Sequence, residues 1–572
     1  MATKNYYNDD VKNNEVSETT EKVDYDQLLT SAGSFGRYQV FLFFATLPFY
    51  FYGGLTYFSQ QFMTETSPNH WCWISELENL TITDRRTLAI PEDPGSRFGY
   101  SRCYAYAANF SEVLKTGEKP NASWPVQTCQ NGWEFDKSEI PYPTISSELG
   151  WVCEKDSYQA NAQSIFFVGS IVGGFIIGWI ADRYGRLPAV TASNMIAFVA
   201  GVASVFASNF MEFAICRFFF GMSYDNCMML MYLLVIEYVA PKYRTIIANM
   251  SFGIFFTLCI VALPWVSLAC GHWKTIGLVT SIPMLSAIIF PFILPESPRW
   301  LLSKGRIDEA INIIKRIGEI NKKEIAPKLL EKFKISLKKE GKEEQLSSVE
   351  LLKNPVLRKV FLCTCLNYMC CMIIFDSLIR TLGSLGFDFF LSFTLVSFTE
   401  FPSLVIVAFV LDLTGRKFLS VSSLGFCCIF CILGVFVGEG LPSVICTIFA
   451  RFTVNIACNT VMQWVVEILP TPLRGSGASI VHICGYVATV ISPYVAYSHK
   501  LVSWLPLFIM GVVAIIGSIC ALVLPETAGK EMPQTLQDAE DLISNTKFFD
   551  VPFLRKKLNN TKEENNPSFQ MD

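Results

Sequence analysis

The 572-residue chain is 51% apolar and 14% aromatic with only 17% charged residues, too greasy for an ordinary soluble globule. Its formal net charge of -4 speaks against a nucleic-acid partner, and four scattered histidines, His70, His272, His482 and His499, make no case for a metal. The apolar residues gather in runs of about 20, the length that crosses a hydrocarbon core as a helix.

Residues 1–37 read as a cytoplasmic N-terminal tail, disordered through 34, with no apolar core of a cleavable signal peptide. The first span is predicted near 38–58 and is crowded with rings: Phe49, Tyr50, Phe51, Tyr52, Tyr57 and Phe58. Such rings serve either as an interface belt or as the wall of a cation cavity. Residues 61–158 then interrupt the membrane pattern with 8 Lys/Arg against 14 Asp/Glu. They hold four cysteines, Cys72, Cys103, Cys129 and Cys153, and glycosylation sequons at Asn79, Asn109 and Asn121. This combination predicts an oxidising, extracellular loop. Four cysteines allow three pairings, and the sequence does not choose among them.

Span two, near 160–180, carries Gly169, Gly173, Gly174 and Gly178, spaced for close helix contact in lipid. Spans three to six follow near 188–208, 213–235, 246–268 and 274–294. They complete an N-terminal six-helix half, 38–294. A linker, 295–357, comes next; extended to Lys359 it has 16 Lys/Arg against 10 Asp/Glu, which places it in the cytoplasm. Its periodic Leu and Ile positions predict amphipathic helices. Six more spans, near 360–381, 387–411, 418–437, 441–464, 476–497 and 502–523, make a C-terminal half, 358–524. A polar cytoplasmic tail, 525–572, ends the chain. The reading is an all-α, twelve-span membrane protein with both termini in the cytoplasm.

Three charged motifs repeat at an offset of 230 residues. Asp182-Arg183-Tyr184-Gly185-Arg186 recurs from Asp412 to Arg416, Glu237 and Arg244 recur as Glu467 and Arg474, and Leu294-Pro295-Glu296 recurs as Leu524-Pro525-Glu526. So long a period excludes a solenoid and fits two parallel copies of one membrane unit. Charges in a bilayer are costly unless paired or wetted. Asp182, Arg183, Arg186, Glu237, Arg244, Asp412, Arg416, Glu467 and Arg474 are therefore expected to form a cytoplasmic gate. Bridges between the two sets would hold the halves together there. Neither Gly185 nor Gly415 belongs to a lysine-bearing phosphate loop. No nucleophile, base and orienter stand in register, so neither an enzyme nor a cofactor is read.

These motifs, with Pro295-Glu296-Ser297-Pro298-Arg299 and Gly33-Ser34-Phe35-Gly36-Arg37-Tyr38-Gln39, resemble the major facilitator superfamily. Within it they resemble the organic cation, carnitine and organic anion transporters, and most of all their invertebrate organic cation members. The resemblance covers about 30–540, nearly the whole chain. It implies the major facilitator fold and alternating access in the plasma membrane around a central cavity. The implied partners are the lipid bilayer and a small organic cation or zwitterion, with no obligate protein partner.

The informative charges lie inside the spans. Glu400, in Thr399-Glu400-Phe401-Pro402, resembles the acid that the cation branch carries in its eighth span. Asp225 falls where the mammalian-type cation transporters resemble a lysine, so the sign is reversed. Tyr486 stands where the cation branch resembles Asp and the anion and carnitine branches Arg, so the usual charge selector is missing. Asp376 stands four residues before Arg380, close enough to pair with it. Asp225, Glu400, Tyr486, Tyr224, Phe375, Asp376 and Trp464 are the candidate substrate residues. The expected function is potential-driven uniport of ammonium-type solutes. A zwitterion carrier, for a carnitine- or carcinine-like solute, or an organic anion carrier is the alternative.

Overall fold

A computed structural model describes residues 24–339 and 350–544, apart from 95, 97 and 122 and the side chains of 244–246, 248, 338 and 339. Arg244, one of the expected gate residues, lies outside the described side chains. Among the described residues, twelve helices are long and apolar enough to cross a membrane. Those of the first half are Arg37–Thr64, Cys153–Tyr184, Arg186–Ser204, Phe210–Tyr238, Asn249–Cys270 and Trp273–Ile293. Those of the second are Pro355–Arg380, Phe389–Thr414, Arg416–Val437, Leu441–Ile468, Thr471–Lys500 and Leu505–Val523. We number them spans one to twelve. Span one runs past the expected 58 to Thr64, its continuous helix beginning at Leu47 with Pro48 in the first turn.

The 230-residue repeat has a concrete structural basis. Spans two and three, and eight and nine, meet at Gly185 and Gly415, whose φ values of +117° and +87° favour glycine. The helix that starts after each turn presents bare backbone N–H groups. In the first half the carboxylate of Glu296 accepts from the N–H of Arg186 at 2.9 Å and of Leu187 at 3.1 Å. In the second half Glu526 accepts from Arg416 and Lys417, both at 3.0 Å. The last motif of each half thus caps the third span of the same half, and a negative group at a helix N-terminus is favoured by the dipole. The glycines of span two divide by role. Gly169 and Gly173 lie against the backbone carbonyls of Phe218 and Met222 in span four, whereas Gly174 and Gly178 meet open space.

The loop between spans one and two folds into a small domain on one face, hereafter the domain face. Two short antiparallel ribbons, His70–Cys72 with Trp133–Phe135 and Tyr104–Tyr106 with Val126–Thr128, flank a core that includes Trp71, Leu77, Ile90, Tyr106 and Phe110. The four cysteines pair as Cys72–Cys129 and Cys103–Cys153. Asn79, Asn109 and Asn121 are all exposed, Asn109 at a helix start.

The linker emerges on the opposite face, and its amphipathic helices Ile307–Ile320 and Pro327–Lys339 dock there. Residues 24–34, expected to be disordered, are instead folded. The helix Tyr25–Ser31 buries Tyr25, Leu28 and Leu29, and the Tyr25 hydroxyl donates to the Glu237 carbonyl at 2.8 Å. Asn321 of the linker donates to the carbonyl of Ala32 and accepts from the N–H of Tyr38. A polar composition hides this short segment because only one face of it is apolar. The C-terminal tail likewise contains a helix, Leu536–Ser544.

The duplicated caps give a direct test. Glu296→Ala and Glu526→Ala should each lower the melting temperature of the detergent-purified protein, removing the bonds to the two span-start N–H groups, about 1.5–3 kcal/mol apiece, and those to the motif's own backbone at Ser297 or at Thr527 and Ala528. The sites are in separate halves, so the double variant should lose the sum. A double variant no less stable than either single one would show that the caps do not act independently.

Candidate binding site between the two halves

Span four is interrupted at mid-membrane. Its helix stops at Ser223 and restarts at Asn226, and Asp225 stands in the break. The break is a two-residue irregularity: Tyr224 and Asp225 keep right-handed helical backbone angles, and the span continues from Phe210 to Tyr238. The Asp225 side chain is only 16% exposed, and its Oδ1 has no hydrogen-bond partner among the described residues.

Rings from both halves surround it. His482 of span eleven places Nδ1 3.8 Å from Asp225 Oδ2. Tyr486, one turn further along, meets His482 edge-on at 4.9 Å and Tyr224 edge-on at 6.0 Å. Tyr224 stacks on Tyr57 of span one at 4.6 Å, and Tyr368 of span seven stacks on His482 at 6.1 Å. One incompletely partnered carboxylate among ring faces is the chemistry that receives an organic ammonium group. Of the seven residues expected from sequence, Asp225, Tyr224 and Tyr486 come together here. His482, Tyr368 and Tyr57 join them without having been singled out as substrate residues. His482 was legible in one respect, since four residues separate it from Tyr486 on a single helix face.

The other four candidates have different neighbours. Glu400 is buried and pairs with Arg451 at 2.7 Å, so its charge is neutralised inside the second half. Phe375 lies under that arginine, its ring centroid 3.4 Å from the guanidinium carbon. Asp376 is fully buried and held by Arg380 at 2.6 and 2.8 Å, by the Tyr57 hydroxyl at 2.5 Å and by the Ser492 hydroxyl. Because Tyr57 belongs to the first half, this is a bond between halves. Trp464 is fully buried and donates its indole N–H to the Pro525 carbonyl at 2.8 Å. It anchors span ten to the repeated Pro-Glu motif, away from Asp225.

The gate charges also close differently from the expectation. Arg186 reaches Asp182 at 2.8 Å and Glu237 at 4.0 Å. Arg416 reaches Asp412 and Glu467, both at 2.8 Å. Arg183 lies over Trp179 and Tyr184, and Arg474 donates to the Pro533 carbonyl. These contacts bind each charged set within its own half. The described contacts between halves sit at the centre or toward the domain face. Besides Tyr57 with Asp376 they include Gln61 with the Ile379 carbonyl at 3.0 Å, Tyr494 with Asn161 at 2.9 Å and Lys500 with Asp156 at 3.3 Å. Phe58 and Phe62 pack on Phe393 at 5.4 and 4.8 Å. The molecule is latched on the domain face.

A family model described as sugar (and other) transporter matches residues 97–537. The chain belongs to that family. Among similar proteins are the carcinine transporter of Drosophila melanogaster, 27% identical over 93% of this chain and 81% of that one, and its beta-alanine transporter, 28% identical over 91% and 89%. Solute carrier family 22 member 3 of Mus musculus is 28% identical over 91% of this chain and 96% of its own. The chain is thus a major facilitator transporter related to the family 22 carriers of organic cations, anions and zwitterions. The inward open xylose transporter XylE of E. coli superposes with a TM-score of 0.56 at 16% identity, covering 88% of this chain and 99% of that one. This likeness to XylE shows the shared twelve-helix fold.

Glu65, just beyond span one, is expected to make the latch sensitive to pH. It approaches Gly383 of the second half so closely that a Cβ there would strike its carboxyl. Burial pushes the Glu65 carboxyl up to about 7, against the pull of Lys500 and Arg380 and with the push of Glu139. Opening the domain face wets the group and returns it to the ordinary carboxylate range, so the closed form binds the extra proton. Closure is favoured while Glu65 is protonated and weakens as pH rises through 7. A fluorophore pair across that face should report more open protein at pH 8 than at pH 6, and Glu65→Gln should flatten the profile.

Proposed function

We propose that this chain carries small organic solutes with an ammonium end, net-neutral zwitterions foremost, across the plasma membrane by alternating access. The observation behind this reading is Asp225, an incompletely partnered carboxylate at a helix break between two halves, lined by Tyr57, Tyr224, Tyr486 and His482. The ammonium end binds there, and rearrangement of the halves moves access from one face to the other.

The balance of interior charge favours a zwitterion over a simple cation. Asp225, Asp376 and Glu400 are matched by Arg217, Arg380 and Arg451, so these six ionisable groups sum to zero. A cavity selecting cations by net charge would be acid-rich. The carcinine and beta-alanine carriers among the relatives agree with recognition of an amino group rather than of net charge. The second reading, a potential-driven organic cation uniporter, is supported by the same carboxylate and rings. A monovalent cation would gain about 2.3 kcal/mol per 100 mV, whereas a net-neutral solute gains nothing from the potential.

The positive excess of the linker assigns its face to the cytosol and the disulfide-bearing, sequon-bearing domain to the outside. Both termini are then cytoplasmic. In this orientation the latch closes the outer face, and the solute exchanges with the cytosol.

Uptake of labelled beta-alanine, a quaternary ammonium compound and an aromatic carboxylate, measured side by side, decides between the readings. Saturable zwitterion uptake unchanged by depolarisation is expected; a voltage-dependent preference for the quaternary ammonium would establish the cation uniporter instead. Asp225→Asn should cut uptake by about tenfold or more, the loss of a charge-assisted contact, with surface protein intact. Glu400→Gln leaves Arg451 unpaired and should reduce the amount of folded protein, since breaking a buried pair costs about 3–5 kcal/mol.

A further inference from the structure

The linker-face end of span one carries a surface that the Asp225 site does not use. The span opens at Arg37, and Arg37, Phe41 and Phe44 fall on one side of its helix. Phe41 is 45% and Phe44 60% exposed, so this side faces lipid, and exposed Arg37 stands at its headgroup end. Asn321 follows the linker helix Ile307–Ile320 and ties it to the same place. It accepts from the N–H of Tyr38 at 3.0 Å and donates to the Ala32 carbonyl and to the Gln39 amide oxygen, both at 3.1 Å. The turn 320–324 is thereby held beside the first turn of span one.

The surface there is basic and apolar together. The linker exposes Lys315, Arg316, Lys322 and Lys323 against Glu319 and Glu324, and Arg37 and Lys242 bring the exposed cations to six. Lys242 lies over the Tyr243 ring at 5.4 Å, and Tyr243 packs on Phe35 at 5.5 Å. Phe35 and Ile320 are themselves exposed. Elsewhere on this face cations are matched, Arg299 by Asp26, Arg306 by Glu309 and Lys334 by Asp308. None of these six has a carboxylate partner among the described residues. Lys322 adds a second observation. Its φ of +57° is left-handed, at the position after a helix end where glycine is usual. A side chain there carries backbone strain that glycine avoids. The helix dipole favours a cation at this end, but Lys323 supplies one without the strain.

We propose that this cluster binds the headgroup of an anionic phospholipid, with the phosphate among Arg37, Lys322 and Lys323 and an acyl chain along Phe41 and Phe44. The excess of cations selects an anionic lipid, and the lipid-facing side of span one continues the site into the bilayer. In the orientation proposed above this face is cytoplasmic, the leaflet that holds the anionic lipids of a plasma membrane. A lipid bound there braces the linker against the first half through the turn that Asn321 anchors.

The test is native mass spectrometry of the detergent-purified full chain with dioctanoylphosphatidylserine or the zwitterionic dioctanoylphosphatidylcholine added. The serine lipid should be retained in preference to the choline lipid. Lys322→Gly and Lys323→Gln should each weaken its retention by about fivefold, the worth of one cation beside an anionic surface. Lys322→Gly should do so with a lipid-free melting temperature no lower than that of the unsubstituted chain, because glycine relieves the turn. Lys323→Gln tests the same charge without altering the strained position. Equal retention of the two lipids, displacement of the serine lipid by an equal concentration of inorganic phosphate, or retention unchanged in both variants would overturn the proposal. The assay reads lipid rather than transport, so its failure is distinct from failure of the Asp225 reading.

Discussion

A carboxylate surrounded by hydrocarbon must be paired, wetted or protonated, and this requirement sorts the interior of the molecule. Asp376 is held by an arginine and two hydroxyls, one of them on the opposite half. Glu400 is held by Arg451 without leaving its own half. Among the described residues Asp225 has His482 at 3.8 Å, Tyr486 beside it and an Oδ1 without a hydrogen-bond partner. Three acids that look alike in a sequence thus become a bond between halves, an ion pair within one half and an incompletely partnered group. What separates them is how far the surrounding protein has already satisfied each one.

The same accounting explains why the repeat serves stability while the site departs from it. Glu296 and Glu526 do identical work at identical spacing, because each half must cap the helix after its glycine turn. Recognition depends on what the two halves do not share. Asp225 lies at a break in span four, whereas Asn455, 230 residues later, lies within the unbroken helix Leu441–Ile468.

Much of the fold was legible because it follows from length and period. Twelve apolar runs, an acidic cysteine-bearing insertion and one repeated offset require little tertiary information. That Asp225, Tyr224 and Tyr486 lie together was in reach of charge and helix position. Trp464 was misplaced because an indole is equally at home against a backbone carbonyl or against a ligand, and only the position of Pro525 decides. Glu400 was read without its partner, since Arg451 is 51 residues away and meets it only through the packing of spans eight and ten. The disulfide pairing and the folded segment at Tyr25–Ser31 were out of reach for the same reason. Each is a contact between distant segments rather than a pattern within one.

The two faces of the molecule differ in how wet their charges are. Asp182 and Asp412 are 80% and 82% exposed although each pairs with an arginine. Pairs of that kind are worth about 0–1 kcal/mol and weaken with salt. Asp376 on the other side is completely dry. The linker-face pairs each lie within one half, whereas the Asp376 bond to Tyr57 joins the two halves. Rearranging the linker-face charges trades one hydrated pair for another at little cost, whereas releasing the domain face means parting Tyr57 from a carboxylate that has no water to replace it.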